Sequence, residues 1–105
     1  MTYRVVLTTE AEADLVRLFD FLIERELARE GGDLDLAQKA LDATRDGLKL
    51  LERFPFTCRK VGPNPFVREL LIPFGHTGYV ALFEIVDQTM VAVGAIRHQR
   101  EEDYH

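Results

Sequence analysis

The sequence has no tryptophan, one cysteine and four prolines in 105 residues. A lone Cys58 cannot form an internal disulfide, which excludes a disulfide-stapled scaffold and suits a reducing cytoplasm. Long apolar runs are also missing. The longest, Tyr79 to Phe83, is five residues, against the roughly 20 needed to span a bilayer, so no membrane segment is expected. Met1-Thr2-Tyr3-Arg4 starts no basic stretch leading into an apolar one, so no secretory leader is expected. Positive charge is scarce: 13 Lys and Arg face 18 Asp and Glu, a formal charge of −5. Affinity for a phosphate backbone rests on accumulated positive charge, so direct nucleic-acid binding is not expected. His76, His98, His105 and Cys58 show no metal-ligand spacing, and Gly75-His76-Thr77-Gly78 lacks the length and Lys of a phosphate loop, so neither metal nor cofactor is expected. What remains, 47% apolar and 30% charged residues, is the mixture of one soluble globular domain over residues 1–105.

Hydrophobic periodicity orders the chain as β-α-α-β-β-β. Tyr3, Val5 and Leu7 alternate as a first strand. Thr9 and Glu12 read as a capping box, after which Ala11, Leu15, Leu18 and Leu22 recur at helical spacing, Phe19 and Ile23 widen the stripe, and Gly31-Gly32 ends it. Val16 and Phe21 fall off this stripe. Asp33 or Asp35 can cap a second helix, with Ala37, Leu41, Thr44, Leu48 and Leu51 on one side, ended by Pro55. After a Pro-punctuated loop over 56–65, strands are expected over 66–72, 79–86 and 90–96. Pro73 is expected to end pairing, Asp87-Gln88 to make a tight hairpin, and 97–105 to form a polar tail. The expected fold is α+β, a helical hairpin packed on a mostly antiparallel four-stranded sheet. The last two strands are apolar on both faces, and one hairpin covers only one face of a sheet. The other is open to a partner, a tail or a self-contact unless the 56–65 loop folds over it.

These residues carry a resemblance. Tyr3-Arg4-Val5-Val6-Leu7-Thr8 with Ala11, Asp14 and Leu15 begins it. Leu48, Leu51, Pro55, Arg59 and Val67-Arg68-Glu69-Leu70 continue it. Tyr79-Val80-Ala81-Leu82-Phe83 and Val91-Ala92-Val93-Gly94-Ala95-Ile96-Arg97-His98-Gln99-Arg100-Glu101 close it. In order and spacing, the chain resembles the ParE branch of the RelE/ParE superfamily of type II toxin–antitoxin toxins. The resemblance implies a cytoplasmic toxin that inhibits growth, neutralised by a cognate ParD-like antitoxin encoded beside it. Relatives of the ParE branch act on DNA gyrase without enzymatic activity. Relatives of the RelE branch are ribosome-dependent mRNA endonucleases, so two functional classes stay open.

Charge weighs between them. Residues 1–57 hold eight basic and twelve acidic side chains, and residues 58–105 hold five and six. An RNase needs a base, an acid and a cation for the phosphorane, and a positive surface to enter an RNA cavity. Arg59, Lys60, Arg68, Arg97, His98 and Arg100 form the one cluster that fits. In the RNase reading Arg68 or Arg97 holds the phosphorane, His98 serves as base or acid, and Tyr104 assists. In the binding reading Arg59, Arg68, Arg97, His98, Arg100 and Tyr104 contact the target, as Arg and aromatic residues do at interfaces. Solvated charges at strand ends are the third possibility. The acidic balance and Glu101-Glu102-Asp103 beside the cluster favour the non-catalytic reading. For the antitoxin, two apolar surfaces are expected: Val16, Phe19, Leu22 and Ile23 on the first helix, and Val80, Leu82, Val91 and Val93 on the last two strands.

Overall fold

The computed structural model describes residues 2–100. Strand β1 (Arg4–Leu7) leads into helix α1 (Thr9–Ala28), which turns into α2 (Asp35–Lys49). Two 3-10 turns, Leu50–Glu52 and Pro55–Thr57, precede β2 (Arg59–Lys60), β3 (Val67–Phe74), β4 (Thr77–Ile85) and β5 (Met90–His98). The sheet runs β1-β5-β4-β3-β2, with β1 parallel to β5 and the other pairs antiparallel.

Alternation assigns the two faces. Val5, Leu7, Leu70, Ile72, Tyr79, Ala81, Phe83, Ile85, Val91, Val93 and Ile96 join Leu18, Leu22, Ala37, Ala40, Leu48 and Leu51 of the helical layer in the core. Opposite pairs fix the other face: Glu69 faces Leu82, Leu71 faces Val80, Leu82 faces Ala95 and Val80 faces Arg97. β5 carries a bulge where Phe83 pairs with Val93 but Leu82 pairs with Ala95. The extra residue, Gly94, lets both stretches of β5 present apolar side chains to the helices.

α1 is tied to that bulge. Thr8, not Thr9, is its N-cap, with Oγ1 accepting from the Ala11 amide at 3.2 Å and donating to the Gly94 carbonyl at 3.3 Å. β1 pairs with β5 only as far as Val93. Past that point the buried Asp14 carboxylate accepts the Ile96 amide at 2.8 Å, supplying a ladder acceptor from a helix.

The structure corrects several boundaries. α1 ends at Ala28, and the turn to α2 closes on Glu26, whose carboxylate accepts the Asp33 amide at 3.1 Å and pairs with Arg29 at 2.6 Å. The 56–65 loop contains a strand of its own. It adds β2 to the sheet edge, making five strands where four were expected. β3 runs through Pro73, which sits opposite Gly78, to Phe74. A Cβ on Gly78 would lie 2.2 Å from the Ile72 carbonyl oxygen, so only glycine permits this pairing. The β3–β4 connection is therefore the two residues Gly75-His76, with Gly75 at φ +62° as a type II′ turn demands. The β4–β5 connection is wider than a two-residue hairpin. Val86 to Thr89 form it, and Asp87 Oδ1 accepts the Thr89 amide at 2.7 Å.

Candidate functional site

The cluster expected from Arg59 to Arg100 does not converge. Its members divide between the open face of the sheet, the loop before β3 and a cleft on the helix side. The reason is strand order: β3 and β5 are separated by β4, and alternate residues point to opposite faces.

Arg59 and Arg97 belong to the open face. Glu69 joins them, accepting from Arg59 Nε at 2.9 Å and pairing with Arg97 Nη2 at 3.8 Å. Its side chain is 11% exposed and that of Arg97 14%, against 55% for Arg59. Arg97 also donates to the carbonyls of His98 and Gln99. This chain of charges crosses a face floored by Val80, Leu82 and Ala95 and edged by Leu71, which is 47% exposed. Arg97 and His98 lie within β5 rather than in a tail.

Arg68 points the other way. Its Nη1 donates to the carbonyls of Phe56 (2.8 Å) and Cys58 (2.9 Å), its Nε donates to that of Pro65 (2.8 Å), and its guanidinium lies 5.2 Å from the Phe56 ring centre. Phe56 in turn meets Phe66 edge-on. Arg68 therefore holds the loop to the sheet edge. Nearby, burial pushes the Cys58 thiol above its usual range, with Arg68 acting weakly against it.

His98 lies on the helix side of β5, edge-on to Tyr79 at 5.8 Å. Its Nδ1 accepts the Arg100 amide at 3.1 Å, which leaves the proton on Nε2 to meet Thr77 Oγ1 at 2.9 Å. Both ring nitrogens are thus engaged. Tyr104 lies outside the described residues.

His98 and Arg100 border a cleft of about 670 Å³ between α1 and the β3–β4 hairpin. Leu18, Leu22, Phe74 and Tyr79 give it an apolar lining, and Arg17, Phe21 and Arg25 join them from α1. Phe74 and Tyr79 stack at 6.3 Å. Burial raises the Tyr79 phenol above its usual value, partly opposed by Arg25. Sequence periodicity placed Phe21 off the core stripe, and it is 59% exposed here. The cleft itself was missed, although Arg17, Phe21 and Arg25 at four-residue intervals were its signal. Among the described residues, no group of three or more His, Cys, Asp or Glu is placed to hold a metal.

The apolar surfaces expected for a partner are also revised. Val16 is exposed, while Phe19 and Ile23 are half-buried against the core and Leu22 is 6% exposed within it. Val91 and Val93 are core residues on the helix side, so they share no face with Val80 and Leu82. The bulge at Gly94 and the register explain the split. Val80 is buried as well, leaving Leu82 partly accessible.

Residues 5–103 match the family described as "ParE toxin of type II toxin-antitoxin system, parDE". The "Toxin RelE1" of Caulobacter vibrioides is 32% identical over 102 residues, spanning 97% of this chain and 99% of that one. A solved chain of the chromosomal ParDE TA system from P. aeruginosa shares the fold, with a TM-score of 0.68 at 20% identity over 92% of this chain and 96% of its own. The helical hairpin on a mixed sheet, the order of elements and the match over nearly the whole length agree. The chain belongs to the ParE toxin family of type II toxin–antitoxin systems, within the RelE/ParE superfamily.

Proposed function

We propose that this chain is a cytoplasmic toxin that acts by contact, inhibiting DNA gyrase and so blocking replication, and that a cognate ParD-like antitoxin neutralises it. Residues 1–105 act as one domain, and the action needs no cofactor. The observation that carries the reading is the use to which Arg68 and His98 are put. An RNase of the RelE kind needs a free cation and a free imidazole at one place. Here Arg68 binds three loop carbonyls, His98 has both nitrogens engaged, and the two sit in different rows of the sheet. The sheet face away from the helices, by contrast, presents exposed Arg59 and Leu71 beside partly accessible Leu82, the mixture found at protein interfaces. We assign the gyrase contact to this face and the antitoxin contact to the helical hairpin, where Val16, Phe19 and Ile23 share one side of α1.

The test is a plasmid supercoiling and cleavage assay with purified gyrase, ATP and antitoxin-free toxin. Loss of supercoiling or accumulation of linear plasmid is expected, and Leu71→Glu should remove it without unfolding the protein. Intact supercoiling with folded wild-type toxin rejects the reading. Attention then moves to ribosome-dependent mRNA cleavage, with Arg68 and His98 as the first positions to change.

A further inference from the structure

At the end of the sheet away from the β3–β4 hairpin lies a pocket of about 340 Å³ that neither partner surface assigned above uses. Tyr3, Phe56 and Phe66 bring three aromatic rings to it, Ile85 and Val86 add aliphatic surface, and Asp87 is the one charged group among the described lining residues. These side chains come from four stretches of chain, each fixed from behind. The Tyr3 amide donates to the Glu52 carbonyl at 2.7 Å, the Ile85 amide to the Phe66 carbonyl at 2.7 Å and the Val86 amide to the Met90 carbonyl at 2.9 Å. Phe56 is held edge-on by Phe66 and from one face by the Arg68 guanidinium. The pocket is thus formed in advance, which lowers the ordering cost of filling it. Phe56, Phe66 and Val86 are nonetheless about half exposed, an apolar cluster left open to solvent.

Asp87 gives this cluster its sign. Its Oδ1 accepts the Thr89 amide at 2.7 Å and the Thr89 hydroxyl at 2.8 Å. These bonds, the amide first, hold the carboxyl below its ordinary value against the opposing effect of desolvation, so it is ionised at neutral pH. A carboxylate offers about four acceptor sites, more than Thr89 takes. The described lining contains no cation to meet it. Arg68 is committed to three carbonyls. Arg4, next to Tyr3, alternates to the other side of the sheet, and its attraction is the weakest of the effects on Asp87. Aromatic faces and a carboxylate together favour a cation, and a flat, weakly hydrated guanidinium stacks on rings better than an ammonium does.

We propose that this pocket binds an arginine side chain presented by a protein partner, its guanidinium against the Phe66 ring and donating hydrogen bonds to the Asp87 carboxylate. A pocket this small takes one side chain rather than a cofactor. The inference does not depend on which target the toxin has.

The experiment titrates the full chain with N-acetyl-arginine methylamide, followed by ¹⁵N NMR, and repeats it with the citrulline counterpart, which keeps the shape and removes the charge. The arginine compound should give saturable shifts centred on the amides of Phe66, Asp87 and Gln88. The citrulline compound should bind about fivefold more weakly or worse. Asp87→Asn keeps the oxygen that Thr89 bonds, and Phe66→Leu keeps apolar bulk, so both should fold. Each should weaken the arginine compound about threefold to tenfold, while Leu71→Glu on the opposite face should bind it as wild type does. Equal binding of the two compounds overturns the proposal, as do the lack of a saturable shift in the wild type and shifts centred on Glu69 instead. Concentration-dependent broadening of the wild type alone that Phe66→Leu removes overturns it in favour of a second copy of the chain.

Discussion

Arg68 shows how a residue that looks catalytic in sequence can be structural. Its three bonds go to main-chain carbonyls of a loop that has little regular structure of its own. Arg68→Ala should therefore lower stability by about 2 kcal/mol, measured by chemical denaturation, and leave antitoxin affinity unchanged. Activity lost with stability intact would contradict this role. Asp14 gives the converse case. A carboxylate in the first turns of a helix reads as a partner of the helix dipole, and nothing local reveals that its real contact is the Ile96 amide, 82 positions away. The candidate site was legible in sequence only as residue types. Arg59, Arg97 and Arg100 stand out by residue type, but their division among faces follows from a bulge and a strand order that no local pattern encodes. Glu69 and Leu71 were overlooked as site residues because their meaning comes from cross-strand neighbours.

The elements were easier to read, since amphipathic periodicity is a local property. Both helices, the first strand and the last two strands stand where the spacing of Leu, Val and Ala put them. Boundaries failed where side chains reach across a turn. Thr8 caps α1 because its hydroxyl also reaches the bulge, and β2 escaped notice because two residues show no period. The α1–α2 turn is held by Glu26, whose carboxyl lies below its ordinary value of 4.5. The Asp33 amide is the main cause, with Arg25 and Arg29 adding to it against the opposing effect of burial. A depressed folded-state pKa gives stability that is fully present above the unfolded value and is lost as pH falls through the folded one. The protection of the Asp33 amide, the slowing of its exchange relative to that of an unstructured amide at the same pH, should therefore fall below about pH 4.5. Glu26→Gln should lack this acid-dependent step and protect the amide less at neutral pH. Equal pH profiles for both proteins would count against the turn being held by charge. Gly32 belongs to the same device, because a Cβ there would lie 1.9 Å from the Glu26 carbonyl oxygen. Its absent side chain, more than its dihedral freedom, makes the turn possible.

For the whole molecule, the helical layer and the open sheet face are separated by the core, which predicts separable functions. In a growth assay Leu71→Glu should be harmless yet still bind antitoxin. Val16→Asp, at an exposed position, should stay toxic and escape neutralisation. If both substitutions impaired the same property, the assignment of one partner to each side would be wrong. The general fold class was readable because β-α-α-β-β-β with one hairpin admits few arrangements, whereas the parallel pairing of β1 with β5 was not, since it joins residues with no common local signal. That pairing has a temporal consequence. Residues 4–7 find their partners only at 90–93, and translation at about 5–20 residues per second puts those partners roughly 5–20 s behind them. Until then Val5 and Leu7 have no strand to complete, and Val91, Val93 and Ile96 are missing from the core. A ribosome that stalls before residue 90 thus releases no folded domain, because both the first strand and the core wait on β5.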